Sequence, residues 1–283
     1  MAGSQKVTAA QALRYGTIPA FERALLLRHV LSVSPAQLAA HPEAELGSEQ
    51  FERYRRLLDR RTAGEPIAYL VGSREFYSLD FKVSPAVLIP RPETELLVDF
   101  ALERIDAPER CAVLDLGTGS GCVAIAIARH RPRAHIVGCD ASAQALAIAR
   151  ENAASLAAVN VELLQSDWYA GLGARKFEIV VANPPYVAET DPHLTEGDLP
   201  FEPAAALLGG ADGLACIRQI VAGARAHLHT QGWLAFEHGY GQAGACRELL
   251  AAAGLSQVFS RSDLAGIERV SGGCWNPREA IRP

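Results

Sequence analysis

Five short apolar runs, each closed by a turn, dominate the chain from residue 111 onward: CAVLDLG (111–117), AHIVGCD (134–140), NVELLQSD (160–167), FEIVVAN (177–183) and GWLAFEHG (232–239). They are nearly continuous in apolar character rather than alternating, so each strand must be covered on both faces. Between the first three lie CVAIAIARH and AQALAIARENAASL, rich in the residues that favour helices. Strand, turn and helix repeated in this way predict an α/β fold built on a parallel sheet with helices on both sides. Ligands of such sheets sit at the carboxyl ends of the strands. The residues that close each run are therefore the candidate site.

The first 70 residues read differently, as short helices joined by tight turns without β-branched alternation. Ser34-Pro35-Ala36-Gln37 has the form of a capping box with proline at the first helical position, so a helix should start there. A second should start at Ser48, where Phe51, Tyr54 and Leu58 recur at spacings of three and four. From Arg74 to Val83 the period changes to two, with Tyr77, Leu79, Phe81 and Val83 on one side of an expected β-ribbon. Pro85, Pro90 and Pro92 punctuate a connector that leads into a helix carrying Leu96, Leu97 and Phe100. The expected division is a helical domain with its ribbon over 1–84 and a catalytic domain over 85–283.

A chain of 283 residues buries about three quarters of its unfolded surface and needs no covalent staples. Cys111, Cys122, Cys139, Cys216, Cys246 and Cys274 form no C-x-x-C pair, which argues against a zinc ribbon or a disulfide framework and for free thiols in a reducing compartment. With no signal-peptide pattern and no uncharged apolar run of about 18 residues, a cytoplasmic protein without a membrane partner is expected. The net charge of −5 has the wrong sign for a stable nucleic-acid partner. Residues 1–70 nevertheless carry nine Lys/Arg against seven Asp/Glu, many of them in RYRRLLDRR. Arg53, Arg55, Arg56, Arg60 and Arg61 suit either a solvated helix face or a docking face for an acidic partner.

The first run ends in Asp115-Leu116-Gly117-Thr118-Gly119-Ser120-Gly121. Cys122 stands where a dinucleotide fingerprint would need its third glycine, so the turn suits a ligand with no pyrophosphate, such as an amino-acid moiety met by backbone groups. Asp140 closes the second run and can accept from both hydroxyls of a ribose. Asp167 and Trp168 close the third, offering an acceptor for an exocyclic amine and a plane for a purine. Taken singly, each has an ordinary reading as a helix cap or a core residue. Together they describe an adenosine with an amino-acid tail, which is S-adenosylmethionine.

The fourth run ends on Asn183-Pro184-Pro185-Tyr186. Proline forces the preceding residue to be extended and fixes its own φ, so the four residues form a rigid ledge with two carbonyls and no competing N–H. Such a ledge suits a planar group bearing NH₂, with the Asn183 side-chain oxygen accepting one N–H, the Pro184 carbonyl accepting the other and the Tyr186 ring lying against the flat group. The nitrogen lone pair is then steered toward a methyl donor, and its proton is more easily lost after transfer than before. His227, His229 and His238 are read as hydrogen-bonded or exposed, and no metal site is assigned.

With these residues in place, the sequence resembles the release factor glutamine methyltransferase family, of the PrmC or HemK type. The resemblance covers nearly the whole chain: LIPRPETE (88–95), DLGTGSG (115–121), Asp140, SDW (166–168), NPPY (183–186), PFEPAAALLGGADGL (200–214) and DLAGIERV (263–270). It implies a Rossmann-like seven-stranded methyltransferase sheet, with an antiparallel hairpin that GLSQVFSRSDLAGIERV would supply. It implies methyl transfer from S-adenosylmethionine to the side-chain nitrogen of glutamine in the Gly-Gly-Gln motif of peptide chain release factors. Asp115, Gly117 to Gly121, Asp140, Asp167, Trp168 and Asn183 would then contact the cofactor, and Asn183 to Tyr186 would hold the glutamine. The tail SGGCWNPREAIRP is longer than the family's usual ending, and the sequence assigns it no role. NPPY also occurs in adenine-N6 nucleic-acid methyltransferases, which is the alternative reading; the acidic charge and the lack of a long basic segment weigh against it. A nucleoside-binding scaffold with a dead site is the reading from another class.

Overall fold

The computed structural model describes residues 7–105 and 111–277. Contacts divide the chain into two compact units, Met1–Ser73 and Arg74–Pro283. The first comprises β1 (Val7–Thr8), α1 (Ala9–Ala12), α2 (Ala20–Leu31), α3 (Pro35–Ala40), β2 (Glu45–Leu46), α4 (Ser48–Thr62) and α5 (Ile67–Val71). The capping box forms as read: the Ser34 hydroxyl accepts the Gln37 N–H at 3.2 Å and Gln37 Oε1 accepts the Ser34 N–H at 2.8 Å. Such a cap contributes about 0.5–2 kcal/mol. Tyr54, Leu57 and Leu58 of α4 are buried in one cluster with Leu26, Leu27 and Val30 of α2, and Phe51 packs at its edge. One feature was not anticipated, the antiparallel pairing of Val7 with Leu46 and Thr8 with Glu45. Two-residue bridges use backbone groups alone and leave no side-chain period to read.

Four of the five arginines on α4 are engaged within this unit, Arg53 through a 3.3 Å contact of Nη2 with His29 Nε2. Arg61 is forked onto Glu22 at 2.8 and 2.9 Å, Arg60 pairs with Glu65, and Arg55 meets Glu52 at 3.0 Å. Arg53, beside His29, and Arg56 remain exposed.

The second unit takes in the ribbon, β3 (Ser73–Phe76) and β4 (Leu79–Lys82), which the sequence reading grouped with the N-terminal segment. Its contacts explain the grouping. Tyr77, expected on a strand, instead occupies the turn at φ +51°. Its N–H donates to Glu95 Oε1 at 2.8 Å and its hydroxyl to Asp99 Oδ1 at 2.7 Å, both on α6 (Glu95–Arg104).

Then follow β5 (Ala112–Leu116), α7 (Cys122–His130), β6 (His135–Asp140), α8 (Ala143–Ser155), β7 (Val161–Gln165), β8 (Phe177–Ala182), α9 (Ala204–Leu207), α10 (Ala215–His227), β9 (Leu228–Glu237), α11 (Ala243–Ala252), β10 (Ser256–Ser262) and β11 (Glu268–Trp275). The seven long strands form one sheet in the order β10-β11-β9-β8-β5-β6-β7. β5 to β9 pair in parallel, and β11 runs antiparallel to both neighbours. Side chains alternate between two cores. Val113, Ile179, Val181 and Ala235 pack with Leu97, Phe100 and Ile125 on one face. Leu114, Leu116, Val180, Ala182 and Phe236 pack with Ile217, Ile220 and Leu250 on the other. No helix among the described residues is long and apolar enough to cross a membrane.

The C-terminal tail acquires a role that its sequence did not suggest. Ser271 to Trp275 are the second half of β11, inserted between β9 and β10 and buried along their length. The small residues are required there: a Cβ on Gly272 would lie 2.7 Å from the Phe259 ring and against the Leu234 carbonyl. Gly272→Ala should therefore lower stability by about 1–3 kcal/mol through overpacking, read as a shift in the urea midpoint. An unshifted midpoint would mean that β11 is not held at this spacing.

Candidate active site

The chain runs from β5 outward through β6 and β7, then returns to place β8 on the other side of β5. This reversal opens a crevice at the carboxyl ends of β5 and β8, the place where open α/β sheets bind ligands. Leu116 stands opposite Ala182, so the turn beginning at Gly117 and the ledge beginning at Asn183 leave the sheet side by side. A cavity of about 410 Å³ lies there. Its wall includes Gly117 to Ser120, Asp140, Asp167, Trp168, Asn183 and Pro185, together with Thr94 and the Pro85–Leu88 connector. Strand parity decides which face of the sheet each polar side chain takes. Asp115, Asn183 and Glu237 occupy the parity of Val113, Val181 and Ala235, on the face covered by α6 and α7.

On the glycine-turn side the polar groups are already pinned. Thr118 Oγ1 donates to Asp115 Oδ2 at 2.6 Å, and the Ala124 N–H donates to the same oxygen at 3.2 Å. Burial pushes the Asp115 carboxyl up to about 6, against the lowering effect of these two bonds. Asp140 Oδ2 accepts the Gly119 N–H at 2.9 Å and Oδ1 the Ser142 N–H at 2.8 Å. A carboxylate has about four acceptor sites, so two remain for a diol. The N–H groups of Gly117 and Thr118 both go to the Cys139 carbonyl at 2.9 Å, and that of Gly121 to Thr118. Much of the turn's donor capacity is thus spent on its own shape, rather than on a ligand as first expected. Gly119 has φ +56° and only the Gly117 carbonyl, 4.0 Å away, near its missing Cβ, so a ligand can approach its backbone closely. Gly121 has φ +82° for a different reason: its missing Cβ would strike Ile125 at 2.8 Å, so it seats α7. Trp168 is held at φ +45°, an unusual backbone for a bulky residue, with its carbonyl accepting from Ser166 Oγ at 2.7 Å. Its ring lies 3.6 Å from the Cβ position of Gly117.

On the ledge side one chain of hydrogen bonds joins four residues. Asn183 Nδ2 donates to Thr94 Oγ1 at 3.0 Å, Thr94 Oγ1 donates to Glu237 Oε2 at 2.6 Å, and the Tyr186 hydroxyl donates to Glu237 Oε1 at 2.9 Å. Thr94 is 2% and Glu237 1% exposed, so water cannot substitute for these bonds. Burial pushes the Glu237 carboxyl up, opposed by the two bonds it accepts; the Glu237 charge, followed by burial, drives the Tyr186 phenol well up. Behind the ledge lies the GGADGL segment. The Gly209 N–H donates to the Val187 carbonyl at 2.8 Å, and the missing Cβ atoms of Gly209 and Gly213 leave room for the Pro185 and Tyr186 carbonyls. Buried Glu202 of the PFEP run accepts the Ile89 N–H at 3.1 Å and Arg91 Nη2 at 2.6 Å, which closes the LIPRPETE connector over the cavity. Burial raises Glu202 despite the Arg91 charge.

The structure thus brings the predicted residues of three strand ends and the ledge to one cavity. Pro184 and Tyr186 are not part of its wall: Pro184 is buried, and Tyr186 packs into the core on the α10 face with its hydroxyl committed to Glu237. His238 is hydrogen-bonded to the Gly239 carbonyl at 3.1 Å and to Ser271 at 2.9 Å, and burial lowers its pKa. His227 stacks on Tyr169 with ring centroids 4.7 Å apart. Thr94, Glu237 and the Arg91–Glu202 pair had no individual role in the sequence reading. The available signal was a carboxylate at the end of an otherwise apolar strand, FEHG.

The chain is similar to known proteins over both of its units. A model of the PrmC N-terminal domain matches residues 7–72, and one of the methyltransferase small domain matches residues 93–217. The release factor glutamine methyltransferase of Burkholderia pseudomallei is 52% identical over 272 residues, 94% of this chain and 95% of that one. The protein of the same name from Escherichia coli is 44% identical, over 89% and 91% of the two chains. Among solved structures, a methyltransferase from Pyrococcus furiosus aligns with a TM-score of 0.53 at 16% identity, covering 77% of this chain and 97% of its own. The catalytic domain of hMettl16 aligns at 0.55 with 13% identity, covering 81% and 82%; at such identities the likeness is one of fold. With that identity running across both units, the chain belongs to the release factor glutamine methyltransferase family.

Proposed function

We infer that this chain methylates the side-chain nitrogen of glutamine in the Gly-Gly-Gln motif of peptide chain release factors, in the cytoplasm, with S-adenosylmethionine as donor. The observation that carries the residue-level reading is the position of Asn183. Its amide is tied back to Thr94 on the wall of the same cavity that holds Gly119, Asp140 and Trp168. A methyl donor and a planar amide can therefore share one enclosed space.

The residues present fit the donor. Open backbone at Gly119 suits its amino-acid tail, the two uncommitted acceptor sites of Asp140 suit ribose hydroxyls, and Trp168 with Asp167 suits an adenine. When bound, S-adenosylmethionine supplies an electrophilic methyl group on a cationic sulfur. Asn183 Oδ1 accepts one N–H of the glutamine amide and the carbonyl of Pro184, whose ring is buried but which sits between the wall residues Asn183 and Pro185, accepts the other, which turns the nitrogen lone pair toward the methyl carbon. The positive charge that builds on nitrogen is dispersed over these two acceptors, and the proton leaves to solvent after transfer. No base need act first. Tyr186 serves by anchoring Glu237 rather than by stacking on substrate. The N-terminal helical unit, with exposed Arg53 and Arg56, contributes to recognition of the protein substrate.

Three outcomes follow. Labelled S-adenosylmethionine incubated with a release factor and separately with duplex DNA should mark the protein at the Gly-Gly-Gln glutamine, located by peptide mapping; label on adenine would refute the substrate. Asn183→Ala should lower kcat by about 10²–10³, the usual cost of one group that stabilises developing charge, with a much smaller loss of cofactor affinity. Finally, Asp115 loses its charge as pH falls through about 6. A cationic donor is attracted only to the ionised form, so calorimetric affinity should weaken below that pH, at most about tenfold per unit. The decline should disappear in Asp115→Asn; a decline that persists there would assign the titration to another group.

A further inference from the structure

Hydrogen-bond direction in the ledge-side chain is dictated by chemistry, whatever labels the amide atoms carry. Glu237 receives two hydroxyls, Thr94 at 2.6 Å and Tyr186 at 2.9 Å, one on each oxygen. In its ionised form Glu237 accepts and cannot donate, so both hydroxyl protons point at it. Thr94 has only one proton. Once it is given to Glu237, Thr94 Oγ1 faces Asn183 as an acceptor, and only the NH₂ end of the Asn183 amide can occupy that 3.0 Å contact. The oxygen end is left facing away from Thr94.

We propose that Thr94 and Glu237 are positioning residues for methyl transfer: a buried carboxylate, acting through one threonine proton, locks the Asn183 amide with its oxygen presented to the substrate. The proposal rests on the reading that Asn183 Oδ1 accepts the glutamine N–H. A free asparagine amide could turn over and present two donors to a substrate NH₂, which would repel it. Nothing else among the described residues bonds to the Asn183 side chain, so its orientation hangs on this chain alone. The construction also explains why the threonine comes from the LIPRPETE connector. That segment is held by Glu202 through Ile89 and Arg91, which seats Thr94 between two strand ends, β8 and β9, that otherwise share no side-chain bond through Asn183.

Thr94→Val keeps the shape and removes the hydroxyl, and Thr94→Ser keeps the hydroxyl. Glu237→Gln keeps the shape but puts a donor beside one of the two hydroxyls, which either reverses the Thr94 proton or strands that of Tyr186. Thr94→Val and Glu237→Gln should lower kcat about 10²-fold or more, while KM for the release factor and calorimetric affinity for S-adenosylmethionine stay within about threefold. Thr94→Ser should recover most of the loss. In ¹⁵N-asparagine spectra of the free enzyme, the side-chain NH₂ pair missing from Asn183→Ala should move in Thr94→Val and Glu237→Gln and stay near its place in Thr94→Ser. Full turnover in Thr94→Val with an inactive Asn183→Ala would overturn the positioning role and leave the amide-gripping reading standing. So would a fall in cofactor affinity and thermal midpoint in step with kcat, since that marks a structural defect. Full turnover in Asn183→Ala would bring down both.

Discussion

The parallel pairing of β5 with β8, from Val113 opposite Ile179 to Leu116 opposite Ala182, decides where every polar group of the cavity stands. Strand side chains alternate, and a slip of one residue would send Asn183 to the opposite face, into the Phe236 and Leu250 core. The register is strongly specified because both faces of both strands are buried. Val113, Ile179 and Val181 on one side and Leu114, Val180 and Ala182 on the other leave no exposed edge that a shifted pairing could tolerate. Hydrophobic packing is thus the agent that aims the polar chemistry.

The cost of that aim is the burial of three carboxyl groups near the cavity, Asp115, Glu202 and Glu237. Each is raised by loss of hydration, and each is offset by bonds it accepts: Thr118 and Ala124 for Asp115, Ile89 and Arg91 for Glu202, Thr94 and Tyr186 for Glu237. A buried carboxyl with an unmet oxygen is expensive, so each acts as a strong constraint on whatever must satisfy it. Asp115 draws in the start of α7 and the glycine turn. Glu202 draws in the connector. Glu237 ties the ledge to that connector through a single threonine. These carboxyls are better understood as organisers of a rigid cavity than as reservoirs of stability, since a buried charge seldom contributes net stability.

Much of this was legible in order along the chain. The five apolar runs match five parallel strands to within a few residues, and the capping box at Ser34 forms as written, because both signals are local. The residues closing β5, β6, β7 and β8 converge because a parallel α/β sheet always brings its strand ends to one edge. What escaped depends on separations that no local period records. Thr94 meets Glu237 across 143 positions and Arg91 meets Glu202 across 111. GGADGL, which the sequence offered only as part of a family resemblance, is a support that makes space for the ledge's carbonyls. Tyr186, read as a surface for substrate, turns its hydroxyl inward because Glu237 offers a buried acceptor in need of a donor.

By itself the sequence determined the fold class, the strand-end residues and the stiff proline ledge, because apolar periodicity, glycine at positive φ and the fixed φ of proline are properties of short segments. Tertiary structure alone decided that Ser271 to Trp275 complete a core strand, that the β-ribbon packs with the catalytic unit, and which end of the Asn183 amide faces Thr94. Those outcomes hang on partners brought together only when the sheet closes, and a hydrogen bond has no direction until both of its ends are in place.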